Sequence, residues 1–263
     1  MSTLDLVLFF GGILAEAVAV GLLLFRRSHR NLPVFSFFLI WSIVSDSVML
    51  LVGRHYAVQD PQYTQIYMVE ISLDFCVQFA VLVELAWSVL RPIRNALPRQ
   101  SILVISILLL GVGAVAWPIA GKLTLAGPTH QWHILMQLQT TFSILRVLFV
   151  FILAGFSQLL AIGWRDRELQ IATGLGFYSL MTLGASILHT HHLSVSLYHD
   201  VDQIVTVSYF CSLLYWVLSF AQQEAPRQEF APGMQSFLLA VSGAARSDRM
   251  TLEQARKSRK QDK

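Results

Sequence analysis

Charged residues are scarce in this chain of 263 residues. Asp, Glu, Lys and Arg make up 13% of it, against about 25% in a typical soluble domain, whereas 55% of the residues are hydrophobic. This composition excludes a water-soluble globular domain and a disordered chain. It also excludes a nucleic-acid-binding protein, although the net charge is +3, because the basic residues follow a membrane-topology pattern described below.

Cysteine and lysine are rare as well. The two cysteines, Cys76 and Cys211, lie inside apolar runs and provide neither a disulfide framework nor the spacing of a thiolate metal site. The lysines are Lys122, Lys257, Lys260 and Lys263. No predicted membrane span therefore contains a lysine.

Long hydrophobic runs are abundant. A helix needs about 20 apolar residues to cross about 30 Å of hydrocarbon. Seven runs meet this length, at about 4–25, 33–53, 64–90, 101–121, 133–163, 170–189 and 201–221. The runs are too long for barrel strands and do not alternate in polarity. We therefore predict an all-α membrane protein whose residues 1–221 form a seven-transmembrane-helix bundle.

Basic residues predict the orientation of the bundle. Sixteen of the 19 lie in the loops after spans one, three and five or in residues 222–263. Because cytoplasmic loops are enriched in Lys and Arg, we expect a multi-pass protein of the cell membrane with its N-terminus outside and its C-terminus in the cytoplasm. The first span is expected to be retained rather than cleaved as a signal peptide, since its arginines follow the apolar core.

Residues 222–263 are predicted to be a basic cytoplasmic tail, for which two interpretations are open. Phe230, Phe237 and Val241 recur at helical spacing before a basic stretch, as in an interfacial amphipathic helix attracted to anionic lipid. Alternatively, the tail is disordered and its charge only enforces topology.

Ionisable residues within the spans predict a polar interior. Such groups are costly in lipid and usually face the inside of a bundle. In span three, Glu70, Asp74, Gln78 and Glu84 fall within a stripe about 120° wide at 100° per residue. The candidate substrate or proton site comprises Glu16, Asp46, Glu70, Asp74, Gln78 and Arg146.

Arg146 is the one basic residue within a predicted span, and we expect it to pair with Asp74 or Asp46. The acids outnumber it, so some of them should be protonated or hydrated. This surplus favours a site that binds a solute or relays protons. The alternative is a buried ion pair that fixes the register of the helices.

Span four differs from the others because it is apolar around its circumference, as expected for a helix that faces lipid. This suggests a 3+1+3 arrangement, in which spans 1–3 and 5–7 are parallel copies joined by span four. A direct alignment supports the repeat weakly, since it places Trp41-Ser42 over Tyr178-Ser179.

Histidines concentrate on the predicted outer side, where seven of the eight lie. Imidazoles suit zinc and copper, so His189, His191, His192 and His199 form a candidate site for either metal. A pH-sensing role is a second interpretation. In the third, histidine is the polar residue that outer loops tolerate when Lys and Arg are excluded.

The pattern partly resembles that of three known families, but the characteristic motifs of each family are absent from this chain. The topology resembles that of the microbial rhodopsins, but their retinal is borne by a lysine of the last helix, so a retinal pigment is excluded. The 3+1+3 plan resembles the SWEET sugar transporters, although their proline-bearing motifs are absent. Seven-helix intramembrane hydrolases use Ser, Asp and His around zinc, but their paired His-x-x-x-His spacing is missing from the last span.

Three functional hypotheses remain open from the sequence. The first is a small transporter that moves a polar solute or ion through the central cavity. The second is a receptor-like sensor that signals through a separate cytoplasmic partner, and the third is a metal-dependent membrane enzyme, with no catalytic residues assigned. Expected partners are the lipid bilayer, a small polar solute or ion and, as an option, further copies of the chain in a homo-oligomer.

Overall fold

Seven α-helices account for most of the described residues. A computed structural model of the protein describes residues 3–26, 30–56, 60–90, 101–124, 130–155, 166–190 and 195–222. The helices are α1 (Thr3–Phe25), α2 (Pro33–His55), α3 (Pro61–Val89), α4 (Ser101–Leu123), α5 (His130–Gly155), α6 (Arg167–Thr190) and α7 (Val195–Ala221), with no strand in these ranges.

Each of the seven helices is long and apolar enough to cross a membrane. The predicted all-helical, seven-span fold is therefore confirmed, and the chain is a polytopic membrane protein. The predicted fifth span reached residue 163, whereas α5 ends at Gly155 and residues 156–165 lie outside the described part. The predicted tail also lies outside it, apart from Gln222.

The helices follow chain order around a ring. Each packs against its neighbours in sequence, α7 closes the ring against α1, and α3 reaches across to α5 and α6. Helix α4 packs mainly on α5, and only Leu109, Ala116 and Ala120 of its residues are buried. Its outer position follows from the lack of polar groups that would have to turn inward.

The packing is compatible with the 3+1+3 arrangement, which stays a prediction. Helices α1 to α3 and helices α5 to α7 each pack in chain order, and the two triplets meet at α1 against α7 and at α3 against α5. The N-to-C direction relative to the two sides of the membrane likewise stays a prediction from the basic residues.

The start of α2 is stabilised by a carboxyl group from α3. The N-cap residue, Leu32, makes no side-chain cap hydrogen bond. Instead, the Glu84 carboxyl accepts hydrogen bonds from the backbone N–H groups of Val34 at 2.8 Å and Phe35 at 2.7 Å. These N–H groups lack partners within the helix, and a negative group is favourable at this end of the helix dipole.

The end of α7 is stabilised by two arginines from the predicted cytoplasmic side. Arg26, after α1, donates to the carbonyls of Ala221 and Gln222. Arg167, at the start of α6, donates to the carbonyls of Ser219 and Gln222, the latter at 2.7 Å. Cations are favourable at this end of a helix, so basic residues that predict topology also hold three helix ends together.

An aromatic cluster fills the bundle near these helix ends. The Phe35 ring contacts the Trp216 indole edge-on, with centroids 5.2 Å apart, and lies 6.0 Å from the Phe220 ring. All three side chains are buried. Trp216 fits because α6 carries Gly174 at the contact, where a β-carbon would overlap the indole.

Gly174→Ala should destabilise the protein, by about 1–3 kcal/mol, because the added methyl group overpacks the contact between α6 and α7. Gly184→Ala in the same helix is the matched control, since a β-carbon there meets no atom within 4 Å and alanine favours helix. Unfolding in mixed micelles at increasing SDS measures both. Equal stability of the two variants would contradict the described packing.

Candidate functional site: a central polar chamber and an outer cavity

A polar chamber lies inside the ring of helices. Its volume is about 180 Å³. Five of the six predicted site residues line it, namely Asp46, Glu70, Asp74, Gln78 and Arg146, together with Phe38, Ser42, Ser45, Leu175, Tyr178, Tyr209 and Trp216. Helices α2, α3, α5, α6 and α7 all contribute, so residues far apart in the chain meet in one space.

The sixth predicted residue, Glu16, lies immediately behind this lining and is fully buried. Its Oε1 accepts hydrogen bonds from the hydroxyls of Ser42, at 2.7 Å, and Tyr209, at 2.5 Å. The two hydroxyl oxygens are 3.2 Å apart. One carboxyl group of α1 thereby connects α2 and α7.

Two further contacts hold the acids of α3. The Ser45 hydroxyl donates to Glu70, which links α2 to α3. The Gln78 amide donates to Asp74 Oδ2 at 2.5 Å, one turn along the same helix. Within the described residues, Glu16 Oε2 and Gln78 Oε1 are buried and have no hydrogen-bond partner. Trp216 Nε1, which belongs to the chamber lining, is a buried donor that also has no partner among the described residues, so both acceptors and a donor are left unsatisfied in this region.

Arg146 does not form the direct ion pair that the sequence predicted. It is buried, and no carboxyl oxygen of the described residues lies within 4.0 Å of its guanidinium nitrogens. Its Nε instead donates to the Phe142 carbonyl at 3.4 Å, and its guanidinium carbon lies 5.5 Å from the centroid of the Tyr178 ring. A ring of α6 takes the place of the expected acid, because Tyr178 projects from the neighbouring helix at the level of Arg146.

Glu84 belongs to the same helical stripe as Asp74 but does not line the chamber. Glu84 lies near the C-terminal end of α3, where its carboxyl group accepts hydrogen bonds from the start of α2. The angle around a helix does not specify depth, so a shared stripe does not imply a shared site.

A second, larger cavity lies between α5, α6 and α7, towards the predicted outer side. Its volume is about 400 Å³. Polar lining residues are Thr124, Trp132, Gln139, Thr140, Ser143, Thr182, Ser186, His189 and Asp202, and apolar ones include Met136, Leu183 and Val205. At its rim His189 Nε2 lies 3.6 Å from Asp202 Oδ1.

The two cavities are stacked one helical turn apart. Thr182 and Val205, in the outer cavity, each lie four residues from Tyr178 and Tyr209, respectively, which line the chamber. Ser143 in the outer cavity lies three residues from Arg146. The rings of Tyr178 and Tyr209 contact each other with centroids 5.2 Å apart. Arg146, Tyr178 and Tyr209 thus form a layer between the cavities, which we call the Arg–Tyr layer.

The histidines do not assemble a metal site within the described part. No group of three His, Cys, Asp or Glu side chains there is arranged to hold a metal ion. His199 lies 3.1 Å from the Gln203 amide nitrogen, and His189 faces Asp202. His191 and His192 lie outside the described residues, so the zinc or copper site stays a prediction.

Four aromatic lining residues, Phe38, Tyr178, Tyr209 and Trp216, were missed from the sequence. Serines next to or one turn from three of them, Ser179, Ser208 and Ser212, are the available signal in the sequence. Aromatic residues occur on lipid-facing and interior surfaces alike, so their type alone does not place them.

Comparisons with protein-family models, curated proteins and solved structures find no match to this chain.

Tyr178→Leu should lower the free energy of unfolding, by about 1–2 kcal/mol, because Arg146 loses the aromatic face that it contacts in a desolvated site. Tyr178→Phe keeps that face and should stay within about 0.5 kcal/mol of the original chain. Unfolding by SDS in mixed micelles measures the difference. If the phenylalanine variant lost as much stability as the leucine variant, the ring of Tyr178 would not be what stabilises Arg146.

Proposed function

We propose that this membrane protein is a small transporter, which carries a small cation through its central chamber. The observation that carries the proposal is the composition of the chamber. Three carboxyl groups, those of Asp46, Glu70 and Asp74, share it with a single guanidinium. Ionisable groups inside a membrane are expensive and mark solute or proton pathways more often than not.

The carboxyl groups of the chamber support a solute that carries positive charge. The hydroxyl protons of Ser42 and Ser45 are directed to Glu16 and Glu70. Within the lining, Gln78 Oε1 is a buried acceptor with no donor among the described residues, and Trp216 Nε1 is a buried donor with no acceptor among them. An unsatisfied buried acceptor costs about 1–3 kcal/mol, so a proton or a small N–H-bearing cation would be favourable here.

Bulky side chains lie on both sides of the chamber along the bundle, as a pathway that limits leakage requires. The Arg–Tyr layer lies on its predicted outer side, and the cluster of Phe35, Trp216 and Phe220 lies towards the predicted cytoplasmic ends of α2 and α7. A volume of about 180 Å³ suits a small ion with a few waters, since liquid water occupies about 30 Å³ per molecule.

Flux in proteoliposomes tests the proposal. Guanidinium is a suitable probe because it is small, permanently charged and rich in donors, and an entrapped pH dye reports protons in parallel. Under an inside-negative potential, liposomes that contain the original chain should take up guanidinium, protons or both faster than empty liposomes do. Asp74→Asn should lower that flux about tenfold or more, because it removes a charge from the chamber.

Asp200→Asn is the matched control, since Asp200 is exposed at the outer end of α7 and does not line either cavity. It should conduct like the original chain. Flux indistinguishable from empty liposomes with both probes, or unchanged flux in Asp74→Asn, would contradict transport through the chamber.

A receptor-like sensor is the second candidate, and one observation favours it. The larger polar cavity lies on the predicted outer side and ends at the Arg–Tyr layer, as a site for an external ligand would. If the folded protein bound an external ligand specifically but conducted neither guanidinium nor protons, the sensor would be favoured over the transporter.

A further inference from the structure

We propose that the outer cavity between α5, α6 and α7 is a binding site for a small organic ammonium ion. This site is distinct from the central chamber and goes beyond the proposed transport, because a transporter and a sensor could each use it.

The hydroxyl groups of the cavity present acceptors only. All five hydroxyl residues of its lining donate their proton to a backbone carbonyl. Thr140 and Thr182 donate to the carbonyls of Met136 and Tyr178, each at 2.9 Å, and Ser186 donates across to Leu123 of α4 at 3.1 Å. A hydroxyl whose proton is used in this way offers only its oxygen lone pairs to a ligand.

The charged residues of the cavity also favour a ligand that is a cation and a hydrogen-bond donor. Among the described lining residues, Asp202 carries the only carboxyl group, and no lysine or arginine is present. The Asp202 side chain is 68% exposed and therefore accessible, whereas His189 beside it is 19% exposed. An ammonium group supplies three donors and a positive charge, which match the Asp202 carboxylate and the hydroxyl oxygens of the lining, although Trp132, Gln139 and His189 also bring N–H groups to it.

The remaining walls fit a hydrocarbon portion. Met136, Leu183, Ala185 and Val205 line the cavity beside Trp132, whose ring stacks on Tyr67 with centroids 5.6 Å apart. Apolar walls with a few placed polar groups are typical of small-molecule sites, and an aromatic ring also favours a cation. A volume of about 400 Å³ leaves room for several carbon atoms, so the geometry favours an organic ammonium over an inorganic ion.

Equilibrium dialysis of radiolabelled n-butylammonium against the full chain in lipid nanodiscs tests this site, with empty nanodiscs subtracted. Butan-1-ol and butyrate, of similar size but neutral and anionic, should not compete. Asp202→Asn should weaken binding at least about threefold, a modest factor because the carboxylate is exposed. Thr182→Val, which replaces an acceptor oxygen by a methyl group of similar size, should weaken it as well.

Asp200→Asn provides the matched control, since it removes a neighbouring exposed charge that does not line the cavity, and its binding should be unchanged. Asp74→Asn separates this inference from the proposed transport, because it alters the chamber alone and should leave butylammonium binding intact.

Three results would overturn the inference: no saturable binding, equal displacement by butan-1-ol, or binding that Asp74→Asn abolishes while Asp202→Asn leaves it unchanged. If the original chain binds butylammonium but shows no cation flux, transport is rejected and the outer site stands.

Discussion

The structure depends on one constraint, which is that lipid cannot solvate polar atoms. Every hydrophilic side chain in a membrane span must find a partner inside the bundle or reach its edge. Glu16 illustrates the first solution, since its buried carboxyl joins α1, α2 and α7 through two hydroxyl groups. Arg167 illustrates the second, where a guanidinium at a helix start binds the terminal carbonyls of α7. Helix α4 carries few such groups and lies at the periphery.

The same constraint gives the interior a layered order along the membrane normal. The outer cavity, the Arg–Tyr layer, the acidic chamber and the aromatic cluster follow one another from the predicted outside to the predicted cytoplasmic side. Polar spaces alternate with bulky aromatic side chains. This order is compatible with the proposed transport and with the alternative of a sensor.

Hydropathy and helical angle are sufficient to predict the number of spans and part of the chamber lining. The number of spans follows from run length, and the angle between Glu70, Asp74 and Gln78 correctly placed them on one face, which lines the chamber. Neither hydropathy nor helical angle specifies how deep a residue lies in the membrane or how one helix is rotated against another. For this reason Glu84 was grouped with the interior although it caps α2, and Arg146 was assigned an acid although it lies against Tyr178.

The polar groups of the interior interact with one another across helices. A double-mutant cycle on the pair Glu16→Leu and Tyr209→Phe, read from unfolding free energies in SDS mixed micelles, measures this interaction, because neither replacement can form the hydrogen bond. Because the hydroxyl of Tyr209 donates to a fully buried carboxyl, we expect a coupling energy of about 1 kcal/mol between the two residues. Additivity of the two substitutions within about 0.3 kcal/mol would contradict it.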